Sequence, residues 1–418
     1  MLPEQVSILV AGGGPAGFMA AISAAEAGLT GVHLLEATAE PLHKVLISGG
    51  GRCNVTHACW DPRDLVSHYP RGNRALRGPF SRFAAGDTVA WFDSHGLELV
   101  EESDGRLFPR ANRSSAVVAC LRRTAAAAGV TVHAGQAVQT AAREAEGFRV
   151  SLRNGRAVHA GRLVLATGSH PSGRRIAAGF GHTIVPPVPS LFTLALADDP
   201  LLELAGVSMD PVVLSLELPG GGRQQQRGAV LITHWGLSGP ASLRLTAFAA
   251  RQLQACAYRA VLRIDWSGGL GPEAIAGLFA HCRRDQARRQ LANWRPWPEL
   301  GSRLWQHLLR RSGVELDRRW ADLGKAQQQR LIGDLCGSRH TISGRGPFGE
   351  EFVTAGGVAL GEVNLGRMES RLEAGLHLVG ELLDVDGVTG GFNFQHCWSS
   401  GWLAGQALAA VSSGPAPA

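Results

Sequence analysis

Val6-Ser7-Ile8-Leu9-Val10, then Gly12-Gly13-Gly14-Pro15-Ala16-Gly17, then Val32-His33-Leu34-Leu35-Glu36: these three runs decide the fold. The first is short, apolar and rich in β-branched residues, the pattern of a buried strand. The second has the spacing G-x-G-x-x-G, and the alanine-rich stretch from about Pro15 to Ala27, closed by Gly28, predicts a helix. The third predicts another strand, ending in an acid nineteen residues after Gly17. Gly12 makes the tight turn, Gly14 lets the backbone approach a diphosphate, and Gly17 lets helix and strand pack closely. The helix start at Pro15 and Ala16 presents free N–H groups and partial positive charge to phosphate, and Glu36 can accept ribose hydroxyls. A strand before, a helix after and an acid at the expected distance make this a dinucleotide site. Alone, it does not separate NAD from FAD.

The other end of the chain separates them. Gly375-Leu376-His377-Leu378-Val379-Gly380-Glu381 reads as a strand running into Gly-Glu, followed by Asp384-Val385-Asp386-Gly387 and Gly390-Gly391-Phe392-Asn393-Phe394-Gln395. A helix is expected from about His396 to Val411, with Gly401 and Gly405 spaced for close packing. Glu381 after Gly380 is placed to take a ribityl hydroxyl. The helix after Gly391 is expected to aim its N-terminus at a flavin ring, where it stabilises charge on the reduced form, with Phe392, Asn393, Phe394 and Gln395 beside it. An ordinary strand–turn–helix is the competing reading of this run alone. Between the two ends, Arg162–Gly168 is a strand closing in Ala166-Thr167-Gly168, a third feature of flavoproteins with this fold. Val130–Val132 and the stretch around Val138 read as strands bordering the adenine.

The 418 residues exceed one ordinary core and suggest two or three domains. No uncharged apolar run reaches membrane-spanning length, and Met1–Gln5 does not open a signal peptide. Seven cysteines without a CxxC pair argue against zinc, a disulfide framework or a redox dithiol, and point to a reducing cytoplasm. The histidines are scattered, so no metal site is expected. Residues 281–330 hold twelve Lys/Arg against five Asp/Glu, so the net charge of +6 resides in this segment.

Lys44-Val45-Leu46-Ile47-Ser48-Gly49-Gly50-Gly51-Arg52-Cys53-Asn54-Val55-Thr56 is the most distinctive run. With Gly105–Pro109, Thr233-His234-Trp235-Gly236-Leu237-Ser238-Gly239-Pro240 and Thr354–Val358, it resembles the BaiN/RdsA-type family of FAD-dependent oxidoreductases over nearly the whole chain. Phe392-Asn393 stands where the family usually has Tyr-Asn, and Thr56-His57 where it usually has Thr-Asn; both departures touch the substrate side. The resemblance implies an α/β fold: a Rossmann-like FAD-binding domain of the glutathione-reductase type, interrupted by a β-barrel-like subdomain and a helical subdomain. It also implies reduction of carbon–carbon double bonds, in steroid-like substrates or in a uracil base of ribosomal RNA. The residues agree with an interruption. Pro186-Pro187-Val188-Pro189 is a stiff boundary, alternating runs fill 190–265, and helical spacing follows at Leu300, Leu304, Trp305 and Leu308. The expected organisation is FAD-binding domain 1–188, β-rich insert 189–268, helical basic insert 269–335, return segment 336–349 and the second part of the FAD-binding domain 350–418.

Gly51 and Asn54 are expected against the isoalloxazine, Lys44 near the cofactor, and Arg52 opposite anionic reduced flavin. Cys53 is a candidate donor of the proton that completes hydride addition; a buried structural cysteine is the commoner use of such a residue. His234 is a second candidate donor, with an ordinary hydrogen-bonding histidine as its alternative. There is no second G-x-G-x-x-G, so no dedicated nicotinamide domain is expected, and NAD(P)H stays as a transient donor visiting the flavin face. In the basic segment, Arg283-Arg284, Arg288-Arg289, Arg310-Arg311 and Arg318-Arg319 accompany Trp294, Trp297, Trp305 and Trp320. This is either an RNA-docking surface or a helical subdomain with tryptophans in its core. Three functions stay open: a C=C reductase acting on a small-molecule or nucleobase substrate, an FAD-dependent oxidase of a small amine, and an RNA-binding protein whose flavin is not catalytic.

Overall fold

The computed structural model describes residues 2–218, 222–347 and 353–412. It divides into two compact units, residues 1–187 with 354–418, and residues 188–353. The expected boundary at 349–350 lies outside the described residues.

The first unit is built on a sheet whose five central strands run parallel. Across the sheet they are Leu376–Leu378, Ala157–Leu165, Gln5–Ala11, Val32–Leu35 and Thr131–His133. Leu9, Val10, Leu34, Leu163, Val164, Leu165, Leu376 and Leu378 are all buried. Such apolar runs identify strands covered on both faces. Ala11 sits opposite Leu35 and Leu165, and Leu165 opposite Leu378. Four strands therefore end level with one another, and the chain leaves each of them at the same carboxyl edge. The hairpin Val138–Glu144 and Gly147–Leu152 joins the antiparallel side of Ala157–Leu165.

Helix Pro15–Glu26 lies against helix Phe392–Ser412, and small residues set the approach. A Cβ on Gly401 would stand 2.5 Å from Ala16 O, and one on Gly405 2.6 Å from Ser23 Cβ. The second helix starts at Phe392 rather than near His396. Gly390 and Gly391 turn the chain at positive φ, and Gln395 N already donates to Gly391 O at 2.9 Å, so the first turn forms at once.

In the second unit, six antiparallel strands close a barrel: Leu194–Leu196, Gly236–Ser238, Arg223–Ile232, Ser208–Glu217, Ala260–Asp265 and Ser338–Arg345. The return segment of the β-rich insert supplies the closing strand. The β-rich stretch also holds two helices, Pro240–Phe248 and Ala250–Ala255. Gly239 at φ +94° and Pro240 at the first helical position stop one strand and start the helix. Helices Pro272–Asp285, Ser302–Arg311 and Lys325–Gly337 follow, packed around Trp266, Phe279, Trp305 and Trp320. A buried chain runs from Asp199 through His340 to Ser338: Asp199 Oδ2 is 2.7 Å from His340 Nδ1, and His340 Nε2 is 3.0 Å from Ser338 Oγ. Trp266 Nε1 also donates to that hydroxyl at 3.0 Å, and Ser338 is enclosed. The triad-like order is therefore a structural tie between barrel and helices. Among the described residues no helix is long and apolar enough to cross a membrane.

Gly401→Val should destabilise the protein by about 1–3 kcal/mol, because the added carbons meet the backbone of the facing helix. Gly277→Ala, at an exposed helical site with nothing within 4 Å, should stabilise it by about 0.5–1 kcal/mol. Urea midpoints of the two variants, moving in opposite directions, check both.

Candidate active site

At the carboxyl edge the strands deliver four short segments. After Ala11 comes the Gly12–Gly17 turn. A Cβ on Gly12 would lie 2.3 Å from Ala166 O, and one on Gly17 2.0 Å from Gly12 O. The helix that follows has Gly14 as its N-cap, no capping side chain and no acid in its first turn. Its N–H groups and positive end are left for an anion. Glu36 follows Leu35, and its Oε2 accepts from Gly13 N at 2.9 Å, while Oε1 accepts from Thr38 N and Oγ1. Glu36 O accepts from Gln136 N at 2.7 Å, which brings the start of the Val138 hairpin beside it. Ala166-Thr167-Gly168 leaves the next strand. Gly380 and Glu381 leave the last.

Glu381 is a junction. Its Oε2 meets Lys44 Nζ at 2.9 Å, Lys44 also donates to Ser169 Oγ at 3.2 Å, and Thr354 N donates to Glu381 Oε1 at 3.3 Å. Behind it, Gly380 N donates to Ser400 Oγ at 3.0 Å, and His396 Nε2 lies 3.2 Å from Gly380 O. Ser400 and His396 position the Gly-Glu pair from the final helix. Sequence reading missed both, because a polar residue inside a helix carries no sign of which strand end it will meet.

The 44–54 run forms a short helix, His43–Gly51, broken where Ser48 is extended and Gly49 and Gly50 are left-handed. Leu46 and Ile47 are exposed on it, Ile47 by 60%. Asn54 Oδ1 and Thr167 Oγ1 are buried with no hydrogen-bond partner among the described residues. An open helix N-terminus, a carboxylate held at a strand end and the orphaned Thr167 hydroxyl at a neighbouring strand end fit a flavin dinucleotide. Gly12, Gly14, Pro15, Ala16, Gly17, Glu36, Ala166, Thr167, Gly168, Gly380 and Glu381 would hold it, with Lys44 fixing Glu381.

Other expected contacts are spent inside the protein. Arg52 donates to Asn112 Oδ1 at 2.6 Å, pairs with Glu102 and stacks on Phe108 at 4.0 Å, so its charge is already balanced. Cys53 is fully enclosed. Burial pushes its thiol up to about 11, so it holds its proton at neutral pH but reaches no ligand unless its neighbours move. Asn393 exchanges two hydrogen bonds with the Gly387 backbone, at 2.8 and 2.9 Å. The Gln395 amide is buried, its Oε1 taken by Thr56 and Thr88 and its Nε2 by Ser399. Both side chains seat the helix rather than face a ligand. Phe394 stacks on Trp398 at 5.8 Å. His234 lies in the second unit, exposed on a Thr233–Gly236 turn closed by Thr233 N to Gly236 O at 2.8 Å.

A group not singled out as catalytic gathers beside Gly390 and Gly391. Phe392 stacks on His68 at 4.2 Å and on His57 at 4.9 Å. A Cβ on Gly391 would meet the Thr56 backbone at 2.8 Å, so Thr56-His57 borders the helix N-terminus directly. His57 is half-buried, its Nδ1 lacks a partner among the described residues, and burial lowers its pKa from 6.5. Tyr69 Oη donates to Phe392 O at 2.6 Å, and Arg71 clamps the buried Asp386 through a two-pronged ion pair. The sequence signals for this wall were the two departures, at Phe392 and at His57.

A family model described as the HI0933-like protein Rossmann domain matches residues 6–407. The 3-dehydro-bile acid delta(4,6)-reductase of Clostridium scindens is 31% identical over 416 residues, 96% of this chain and 98% of its own. The ribosomal RNA dihydrouridine synthase of Escherichia coli is 31% identical over 428 residues, 98% of this chain and all of its own. The solved structure of 3-ketosteroid delta1-dehydrogenase from Sterolibacterium denitrificans with 1,4-androstadiene-3,17-dione shares the fold, with a TM-score of 0.53 at 14% identity, covering 98% of this chain and 100% of that one. The resemblance drawn from the glycine-rich motifs therefore holds over the full length, and the fold is that of a flavoenzyme.

Glu36→Gln should weaken FAD binding by about ten- to hundredfold, the worth of hydrogen bonds to a charged group, as read by titration of apoprotein. Burial also pushes His377 and His396 down to about 4. Between 6.5 and about 4 the unfolded chain binds protons that the folded one refuses, so stability is full above 6.5 and falls on acidification. The slope is up to about 1.4 kcal/mol per pH unit for each histidine. Urea midpoints through that window should show the fall, and His377→Gln should make it shallower.

Proposed function

We propose that this chain, which belongs to the HI0933-like Rossmann family, is an FAD-dependent oxidoreductase that reduces an activated carbon–carbon double bond in a small molecule or a uracil base. The observation that carries the reading is the single cradle in which Gly12–Gly17, Glu36, Ala166–Gly168 and Gly380–Glu381 meet at one sheet edge. Two full-length relatives support it, one named as a delta(4,6)-reductase and one as a dihydrouridine synthase. Dihydrouridine is uridine with two hydrogens added across a ring double bond, the same change that a steroid-like enone undergoes on reduction.

FAD, when bound, supplies a hydride at N5. The chain does the rest. The start of Pro15–Glu26 neutralises the diphosphate, Glu36 holds the adenosine ribose, and Glu381, fixed by Lys44, takes a ribityl hydroxyl. The start of Phe392–Ser412 would favour negative charge beside it. We assign the second hydrogen, a proton, to His57 rather than to Cys53 or Arg52. His57 is half-buried and its Cδ2 edge borders Gly390, whereas Cys53 is enclosed and Arg52 is paired with Glu102. NAD(P)H is the proposed source of electrons, meeting the flavin without a nucleotide fold of its own.

Enzyme reduced anaerobically with dithionite should be reoxidised by a steroid 4,6-dienone or by protein-free ribosomal RNA, with mass spectrometry showing a product two hydrogens heavier. Rapid reoxidation by oxygen alone, with both substrates inert, would instead support the amine-oxidase reading. His57→Leu should keep FAD bound and reducible but lower turnover about a hundredfold or more. The depressed pKa means that the protonated donor grows as pH falls below 6.5, so the wild-type rate should rise there and the variant should lose that rise. An unchanged profile in the variant would overturn the assignment to His57.

A further inference from the structure

The basic segment resolves into two different populations of residues. Trp305 and Trp320 are buried, with indole N–H groups donating to Leu291 O at 2.7 Å and Trp294 O at 3.2 Å, so neither can stack on a ligand. Several arginines are equally committed. Arg283 donates to Leu323 O, Arg284 pairs with Asp285, Arg311 with Asp334 and Arg318 with Glu315, while Arg330 donates to Ser312 O. Of those that remain, four lie together. Segments 287–294 and 318–321 are zipped by a Gln290–Arg319 bridge and by Leu291 N to Arg318 O at 2.8 Å, Trp320 N to Arg289 O at 3.0 Å and Ala321 N to Ala287 O at 3.0 Å. This lattice holds Arg288, Arg289 and Arg319 exposed, with Arg295 just beyond, and none of the four has an ion pair among the described residues. Asp317 and Asp322 are the nearest remaining acids, and their charge acts on Arg318. Arg289 lies over the Trp294 ring at 5.0 Å, and Trp294 keeps 36% of its surface exposed.

We propose that Arg288, Arg289, Arg295 and Arg319 with Trp294 form a docking site for single-stranded RNA. The proposal rests on the nucleobase branch of the function above and names the partner that branch requires. Four uncompensated guanidinium groups on a fixed backbone match a row of phosphates, which surface arginines with partners do not. The Arg289–Trp294 stack adds a flat face on which an unpaired base can lie. A small neutral steroid has no use for such a strip.

The test is fluorescence anisotropy of the FAD-loaded protein with a short fluorescein-labelled, uridine-rich single-stranded RNA across a salt series. Arg288→Ala/Arg289→Ala/Arg319→Ala should weaken binding roughly tenfold or more and reduce the slope of log K against log salt by about 2, near 0.7 for each phosphate left without its arginine. Trp294→Ala should weaken it by about fivefold or more, with little change in slope. Dienone reduction by the same variants should be unaltered, so failure of the surface and failure of the reductase reading are told apart. Equal RNA affinity in wild type and triple variant would overturn the proposal. So would binding of poly-glutamate as tight as that of RNA, which would assign the strip to an acidic protein.

Discussion

The first unit depends on how closely three pieces of main chain can approach one another at Gly12 and Gly17. Ala166 O stands 2.3 Å from where a Gly12 Cβ would be, and Gly12 O 2.0 Å from where a Gly17 Cβ would be. No side chain fits in either gap. Their absence lets the first helix begin directly over the strand ends, so its partial charge falls at the sheet edge rather than a turn away from it. The parallel register then carries the remaining parts to the same level: Glu36 on one side, Ala166–Gly168 and Gly380–Glu381 on the other. The long final helix depends on the same economy of volume, since it can lie against the first only through Gly401 and Gly405.

The parts most legible in the sequence were those in which local pattern and tertiary role coincide. A glycine at a forced close approach, an apolar run in a buried parallel strand and an acid at a strand end each have few alternatives. Side chains that work across long separations were not legible. Gln395 lies in a flavin-like motif, yet its amide is spent on Thr56 and Thr88, and Ser400 and His396 hold Gly380 from a helix whose own pattern does not show which strand end they meet. Cys53 drew attention as a thiol beside a glycine-rich turn, and the turn encloses it. The segment 336–349 was legible as the return of the β-rich insert, but the strand partners of Ser338–Arg345 were not, because they lie far off in sequence.

The same distinction separates the tryptophans of the basic segment. Composition alone cannot tell a ring that fills a core from one that lies on a surface. Trp305 and Trp320, stacked at 6.3 Å with Phe279 edge-on to each, are ballast for a small helical layer. Trp294, a short distance along the chain, is capped by a guanidinium and open to solvent. The helical layer therefore uses one residue type for two purposes, and depth of burial separates them.

The division of the first unit between residues 1–187 and 354–418 has a consequence for how the protein is made. A ribosome that has completed the Rossmann turn, Glu36 and the Ala-Thr-Gly strand has produced a sheet with an open flank. Strand Leu376–Leu378 and the helix bearing Gly401 emerge only after the whole barrel and its helical layer. Until then the apolar faces of Pro15–Glu26 and Ala157–Leu165 lack their partners, and closing them requires pairings of very high sequence separation, which form slowly. Cofactor capture is thereby deferred to the last stage of synthesis, and nascent chains stalled within the insert are natural clients for chaperones.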